Sequence, residues 1–268
     1  MKILFIGDII GKPGREILAK MLPGFRTEWN IDVVIANAEN SAGGSGITAS
    51  IFKELLKSGI DVMTLGDHAY KQKEIIPILE SDSRIIRPGN YPTKAPGRGW
   101  TVHETSQGYR LAVMSLQGRV FMNPVDCPFA AADRILDEIA AQEPKIQMIF
   151  LDFHAEATSD KQLMGRYLDG RISAVLGTHT HVATADEQIF PGGTAFQCDV
   201  GMCGPFNSII GRRVDRVLET VTTFRPTMYD VARGDNRING TVVEIDPDTG
   251  WALGIERVVL RESDAEIV

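Results

Sequence analysis

Four of the chain's five histidines fall at or just past the ends of strand-like runs. His68 follows Asp67, His154 closes "LDFH", and His179 and His181 alternate in "GTHTH". Two further polar groups end apolar runs in the same way, Asp8 after "ILFIG" and Glu39-Asn40 in "IANAEN". Taken singly, an aspartate or asparagine at such a place is an ordinary turn former. The histidine pair is the stronger signal, because residues at i and i+2 of an extended chain share one side and can converge on one site. Together the set holds three carboxylates, one amide and four histidines. That mixed nitrogen and oxygen inventory is too rich for one tetrahedral zinc, which takes about four ligands. It suits two adjacent first-row metals about 3.5–4 Å apart, bridged by a carboxylate and a hydroxide. No cysteine belongs to the set, which argues against an iron–sulfur cluster and leaves iron, manganese and zinc open. His103 lies in a predicted hairpin, outside this set, and reads as structural.

These groups fall at the ends of strand-like runs. "ILFI" (3–6) leads into a glycine-containing loop and a helix around Arg15 to Phe25. "DVVIANAE" (32–39) and "DVMTLGDH" (61–68) are two more strands. Between them "TASIFKELLKSG" (48–59) is a helix with Thr48 as N-cap and Gly59 near its stop. This is the βαβ rhythm of a sheet covered on both faces. The closer spacing of "GWTVHET" (99–105) and "YRLAVMSL" (109–116) predicts an antiparallel hairpin, hence a mixed sheet. An amphipathic helix follows in "PFAAADRILDEIAAQ" (128–142), a buried strand in "KIQMIFLDFH" (145–154) and another helix in "DKQLMGRYL" (160–168). "ISAVLGTHTH" (172–181) reads as a strand ending in histidines, and "GTVVEID" and "WALGIERVVL" flank "PDTG" as a terminal hairpin. No repeat or long linker interrupts the pattern, so residues 1–268 are expected to form one domain. In open α/β sheets, ligands gather outside the carboxyl ends of the strands. Five of these strands put their polar groups there.

With 268 residues, the chain suits one large α/β domain better than two small ones. Its 43% hydrophobic and 24% charged content is ordinary for a globular protein. A net charge of −7 argues against broad binding to long nucleic acid or to an anionic membrane. It does not argue against small anionic substrates, because a bound metal reverses the sign of a site. Cys127, Cys198 and Cys203 are odd in number and lack CxxC spacing, which fits a reducing compartment better than a disulfide framework. The first sixteen residues have neither the basic region nor the apolar length of a signal peptide, and no run of about twenty apolar residues follows. A cytoplasmic location is expected.

The opening "GDIIGKPGR" admits one rival reading, a dinucleotide-binding loop. Its glycines, Gly7, Gly11 and Gly14, are not in GxGxxG spacing, and Ile9 stands where the second glycine belongs. Asp32 precedes its strand instead of following it. The metal-ligand reading of Asp8 is the better one.

In this order and at this spacing, Asp8, "NAEN" (37–40), "GDH" (66–68), His154 and "GTHTH" (177–181) resemble the calcineurin-like metallophosphoesterases, and within them the YmdB-type bacterial branch. The similarity covers nearly the whole chain, through "NAENSAGG", "GRVFMNPVDCPF", "DFHAEATSDK" and "DVGMCGPFNSIIG". It implies a four-layer α/β/β/α sandwich with mixed sheets, a dinuclear metal centre, homo-oligomers, a regulatory role in the cell and phosphodiesterase activity, reported for the branch on 2′,3′-cyclic nucleotides. Carried onto this chain, the family pattern makes Asp8 and His181 ligands of one metal, with Asn40 beside it. Glu39 bridges both metals, and Asp67, His154 and His179 hold the second. His68 has no metal role in the family. It sits over the substrate phosphate, where it could stabilise charge or protonate the leaving oxygen; an unperturbed imidazole pKa of about 6.5 suits that work. Two positions depart from expectation. The wider superfamily's histidine two residues after the first aspartate is Ile10 here, as in the branch, and the branch's usual asparagine is Asp67, which adds a negative charge at the metals.

The implied reaction is in-line attack of a metal-bridged hydroxide on the phosphorus of a small phosphodiester, with two divalent or trivalent cations clamping the phosphate. Iron or manganese is expected first, with zinc compatible. The loops at 40–46, 118–124 and 202–208 are expected to rim the pocket, with Phe121, Phe129 and Phe206 as candidate stacking residues. Two other functions fit the same residues: a regulatory protein acting through partner binding with incidental hydrolysis, and a phosphomonoesterase of the same fold.

Overall fold

The computed structural model describes residues 1–266. The chain opens with β1 (Lys2–Ile6), β2 (Asp8–Ile9), α1 (Gly11–Glu28), β3 (Val33–Asn37), α2 (Ala49–Lys57), β4 (Val62–Thr64), α3 (Ile76–Ser81) and β5 (Ile85–Ile86). It continues with β6 (Trp100–Glu104), β7 (Arg110–Gln117), α4 (Pro128–Ala140), β8 (Met148–His154), α5 (Thr158–Leu168) and β9 (Ala174–Thr178). The last elements are β10 (Gln188–Ile189), β11 (Ala195–Gln197), β12 (Met202–Pro205), α6 (Val214–Thr223), β13 (Asn236–Ile245) and β14 (Ala252–Arg261). One sheet has eight strands in the order β2-β12-β13-β1-β3-β4-β5, with β14 on the other edge of β13; the second has six, β10-β11-β9-β8-β7-β6. Both are mixed. β1, β3, β4 and β5 run parallel while β13 opposes β1, and β7, β8, β9 and β11 run parallel while β6 opposes β7.

Alternation along the strands sorts side chains into separate cores. On β1, Leu4 and Ile6 pack with Ile17, Leu18 and Leu22 of α1, whereas Ile3 and Phe5 face the other sheet. On β8, Ile149, Leu151 and Phe153 pack with Ile135 of α4 and Met164 of α5, whereas Met148 and Phe150 meet the first sheet. Phe5 and Phe150 touch across the gap edge to face, with ring centroids 4.9 Å apart. The result is four layers, α/β/β/α, as the resemblance implied. Each sheet is covered by helices on one face only; the other sheet covers the second face.

The same alternation carries the site. Counting on by two from Met148 and Phe150 gives Asp152 and His154. From Val33 and Ile35 it gives Asn37, from Val62 it gives Thr64, and from Ala174 and Leu176 it gives Thr178. All five polar residues are fully buried. The layer between the sheets thus turns from apolar to polar at the carboxyl ends of its strands.

Several expectations are met closely. Thr48 caps α2 by accepting a bond from the Ile51 amide, the β6–β7 and β13–β14 pairs are antiparallel, and His103 lies on β6, outside the cluster of the other histidines. Two corrections follow. The 202–208 segment, expected as a loop, contains β12, which pairs parallel with β2 and antiparallel with β13. Gly7 lets the chain pass there, since a Cβ at that position would overlap the Gly201 carbonyl. The histidine strand is also shorter than expected: β9 ends at Thr178, before either histidine. No helix among the described residues is long and apolar enough to cross a membrane.

Candidate metal centre

Four donor atoms, one from the last residue of β8 and three from the loops that follow β3, β4 and β9, crowd together: Glu39 and Asp67 each offer a carboxylate oxygen, and His154 and His179 each offer a ring nitrogen, all within 4.8 Å of one another. His154 Nε2 lies 3.0 Å from His179 Nδ1, 3.1 Å from Asp67 Oδ1 and 3.2 Å from Glu39 Oε1, and His179 Nδ1 lies 3.5 Å from Asp67 Oδ1. Ligands bound at about 2.1 Å to one cation are separated by about 3.0 Å in octahedral and about 3.4 Å in tetrahedral geometry. The spacing and the donor types both fit a first-row metal ion.

Asp8, Asn40 and His181 form an adjoining group. Asn40 Nδ2 is 3.3 Å from Asp8 Oδ1 and 3.2 Å from His181 Nε2, while His181 Nε2 is 3.8 Å from Asp8 Oδ1. Asn40 Oδ1 faces His68 Nδ1 at 2.8 Å. For its oxygen to face Asp8 and His181, the Asn40 amide must rotate half a turn. His68 stands between the groups: its amide donates to Glu39 Oε2 at 2.9 Å, its Nδ1 lies 3.4 Å from Glu39 Oε1, and its Nε2 is 3.8 Å from Asp67 Oδ2. All eight residues singled out by the sequence therefore meet in one place.

Burial alone would remove charge from this cluster. It raises the Asp8 carboxyl above its ordinary value, with His181 and His154 pulling the other way. At Glu39 burial also works upward, yet the adjacent His154 outweighs it and the net shift is downward. The Asp67 carboxyl is held well below the ordinary range, because hydrogen bonds to His154 and His179 overcome burial. His154 is held well above the ordinary imidazole value, because Glu39, Asp67 and Asp8 overcome its burial. Three carboxylates in one enclosed space thus demand positive charge at its centre, which a cation supplies.

Each of the three inward histidines hands its second nitrogen to a partner. His154 Nδ1 bonds Thr178 Oγ1 at 2.8 Å, His179 Nε2 lies 3.2 Å from Glu156 Oε2, and His181 Nδ1 donates to the Ile210 carbonyl at 2.9 Å. Such outer partners fix ring orientation and tautomer in metal sites.

His179 and His181 converge by a different route from the one expected. Their φ angles are +100° and +65°, left-handed backbone that costs on the order of 1–3 kcal/mol per non-glycine residue. They are not the two alternating positions of a flat strand. A buried ion pair holds the turn: Asp199 Oδ2 takes Lys161 Nζ at 2.7 Å, the Thr180 amide at 3.0 Å and the Thr180 hydroxyl at 2.8 Å. The His179 amide donates to Asp8 Oδ2 at 3.1 Å. Lys161→Met is expected to cost about 3 kcal/mol in urea unfolding of the metal-free protein, because it leaves a buried carboxylate without its cation. A loss too small to measure would contradict that role.

The centre opens into a cavity of about 300 Å³ walled by His68, Gly44, Glu156, Thr180, Ile210 and Arg212. Of the expected rim, the 40–46 loop is present through Gly44, whereas neither 118–124 nor 202–208 lines this cavity. None of the candidate stacking rings faces it. Phe121 points to solvent, Phe129 packs on Tyr167, and Phe206 lies under the Arg237 guanidinium. Ile210 and Arg212 take that place, and Arg212 ties the rim together by donating to the carbonyls of Gly43, Gly44 and Tyr229. Larger concavities of about 670 and 960 Å³ lie where the 228–236 segment meets α1 and α6 respectively and contain no histidine, and a third, of about 500 Å³, is lined by His181, Phe206 and Ile210.

Comparison with known proteins places this geometry in a family context. Residues 4–258 match the family described as "YmdB-like protein". The chain is 43% identical, over 98% of its own length and 98% of the relative's, to a 2′,3′-cyclic-nucleotide 2′-phosphodiesterase of Bacillus subtilis. Among solved structures it resembles a hypothetical protein from Thermus thermophilus, with TM-score 0.91 and 41% identity over 98% of this chain and 100% of that one. It also resembles a structure described as a novel phosphatase from Mycoplasma pneumoniae, with TM-score 0.90 and 29% identity over 97% and 93% of the two chains.

Proposed function

The chain belongs to the YmdB-like family, and on that premise we propose that it is a metal-dependent phosphodiesterase acting on small phosphodiesters, 2′,3′-cyclic nucleotides first among them. The observation that carries this reading is the tight group of Glu39, Asp67, His154 and His179 at the floor of an open cavity, with His68 beside it.

Glu39, Asp67, His154 and His179 would hold one cation; Asp8, His181 and Asn40, sharing Glu39, would hold a second. Iron or manganese suits the oxygen-rich half of this set, and zinc is also compatible. Bound cations neutralise phosphate oxygens and bring the pKa of a coordinated water toward neutrality. The chain's own residues do the rest. With the Asn40 amide turned so that its oxygen would face the cation, its Nδ2 would donate to His68 Nδ1, which puts the His68 proton on Nε2, the nitrogen that would donate a hydrogen bond to phosphate or a proton to the leaving ribose oxygen. Glu39 and Asp67 balance positive charge on either side of that ring. Ile210 and Arg212 line the opening through which the substrate would enter.

The reading extends to the whole molecule. Residues 1–268 work as one domain, because the site draws on both sheets. The three unpaired cysteines support a cytoplasmic location. Leu218, Val221, Phe224 and Met228, exposed along α6 and the segment after it, support assembly with further copies of the chain. Side-by-side assays with 2′,3′-cyclic AMP, bis-p-nitrophenyl phosphate and p-nitrophenyl phosphate test the reaction. Turnover of the two diesters is expected; turnover of the monoester alone would replace the diesterase reading with a phosphomonoesterase.

A further inference from the structure

Behind His154, away from the cavity, lies a chain of buried polar contacts that touches no substrate position. Asp152 Oδ1 accepts the Thr178 hydroxyl at 2.6 Å, and Asp152 Oδ2 accepts Thr64 Oγ1 at 2.5 Å and Asn37 Nδ2 at 3.0 Å. Thr178 Oγ1 in turn meets His154 Nδ1 at 2.8 Å. We propose that Asp152 is a positioning residue for cation binding: acting through Thr178, it keeps a proton on His154 Nδ1, so that Nε2 is the nitrogen whose lone pair meets the cation. The inference rests on the metal-site reading of Glu39, Asp67, His154 and His179.

Donor counting carries it. A carboxylate only accepts, and a threonine hydroxyl has a single hydrogen. Thr178 gives that hydrogen to Asp152, so its oxygen is an acceptor toward His154, and Nδ1 must be the donor. Asn37 Nδ2, 3.4 Å from Nδ1, makes its shorter contact to Asp152. Asn37, Thr64, Asp152, His154 and Thr178 are all at 0% exposure, so no bulk water replaces a missing partner. They come from β3, β4, β8 and β9, two strands of each sheet, which ties the sheets together where the site begins. Without Asp152, the Thr178 hydrogen is free to turn toward Nδ1, and the ring proton then moves to Nε2, the atom that faces Glu39, Asp67 and His179.

The test uses chelator-stripped protein, with Mn²⁺ affinity read by calorimetry and the melting temperature of the metal-free form read in parallel. Asp152→Asn and the isosteric Thr178→Val are each expected to weaken Mn²⁺ binding about 10- to 100-fold, the usual effect of losing an outer partner of a metal ligand. Thr178→Ser keeps the hydroxyl and should restore affinity close to wild type. The double variant Asp152→Asn/Thr178→Val should bind no more weakly than the worse single variant, because both changes break one relay. Folded Thr178→Val with wild-type affinity would overturn the proposal, as would losses that add in full. If Asp152→Asn does not fold, the valine and serine pair still decides. Wild-type protein that binds no Mn²⁺ would instead overturn the metal-site reading beneath it.

Discussion

Replacing Glu39 with glutamine is expected to lower 2′,3′-cyclic AMP hydrolysis by about 100-fold or more, comparable to removing a main electrostatic group from an active site. Glu39 is 1% exposed and joins the two halves of the centre. One oxygen lies 3.2 Å from His154 Nε2 and 3.4 Å from His68 Nδ1, and the other accepts the His68 amide. Glutamine keeps the shape and can still accept from His68, so the backbone around "GDH" should stay in place. What it removes is a negative charge at the point the two proposed cations share. Metal content per chain should fall together with the rate, while the circular dichroism spectrum is retained. A variant with wild-type rate and metal content would remove Glu39 from the mechanism.

Gly66→Ala should be nearly as severe for a purely steric reason. A Cβ at position 66 would overlap the His154 ring at Cγ, Cδ2 and Nε2. The ring has no room to retreat, since His154 is fully buried and Thr178 holds its far side. Either the ring tilts, taking Nε2 away from Asp67 and His179, or the 66–68 turn moves and takes Asp67 with it. Displacement of a reacting group by about 1 Å costs about 100-fold in rate, and overpacking a close-packed site costs about 1–3 kcal/mol in stability. Initial rates and a thermal melt of the same preparation read both. Wild-type values in both would mean that the ring is not held where the structure places it.

The sequence displayed the ligand set plainly, because every member ends an apolar run and open α/β sheets collect ligands at that end of their strands. Asp8, Glu39, Asn40, Asp67, His68, His154, His179 and His181 do meet. It displayed the support behind them poorly. Asp152 sits inside "MIFLDFH", which reads as one continuous buried strand. Only the parity of positions 148, 150, 152 and 154 shows that Asp152 and His154 share the inter-sheet face. Asn37, Thr64 and Thr178 hide in the same way, one polar residue each at the end of an otherwise apolar alternation. Gly66 carried no signal beyond its place before Asp67-His68, because the close approach of the His154 ring is a contact between distant strands.

The "GTHTH" motif was informative for an incomplete reason. Alternation in an extended chain would bring two histidines to one side, yet these two converge through left-handed backbone that Asp199 and Lys161 hold from behind. That arrangement depends on a pairing 38 residues apart in sequence. The same limit explains the rim. Ile210 and Arg212 reach the cavity because β12 is inserted between β2 and β13, a long-range pairing that local periodicity does not encode.

The central claim is that Glu39, Asp67, His154 and His179, with Asp8, Asn40 and His181, hold the cations on which phosphodiester hydrolysis depends. Its most direct test is to follow 2′,3′-cyclic AMP hydrolysis while Mn²⁺ is titrated into chelator-stripped protein. The account predicts no turnover without metal and a rise to a plateau near two ions per chain. Undiminished hydrolysis by the stripped protein would contradict it.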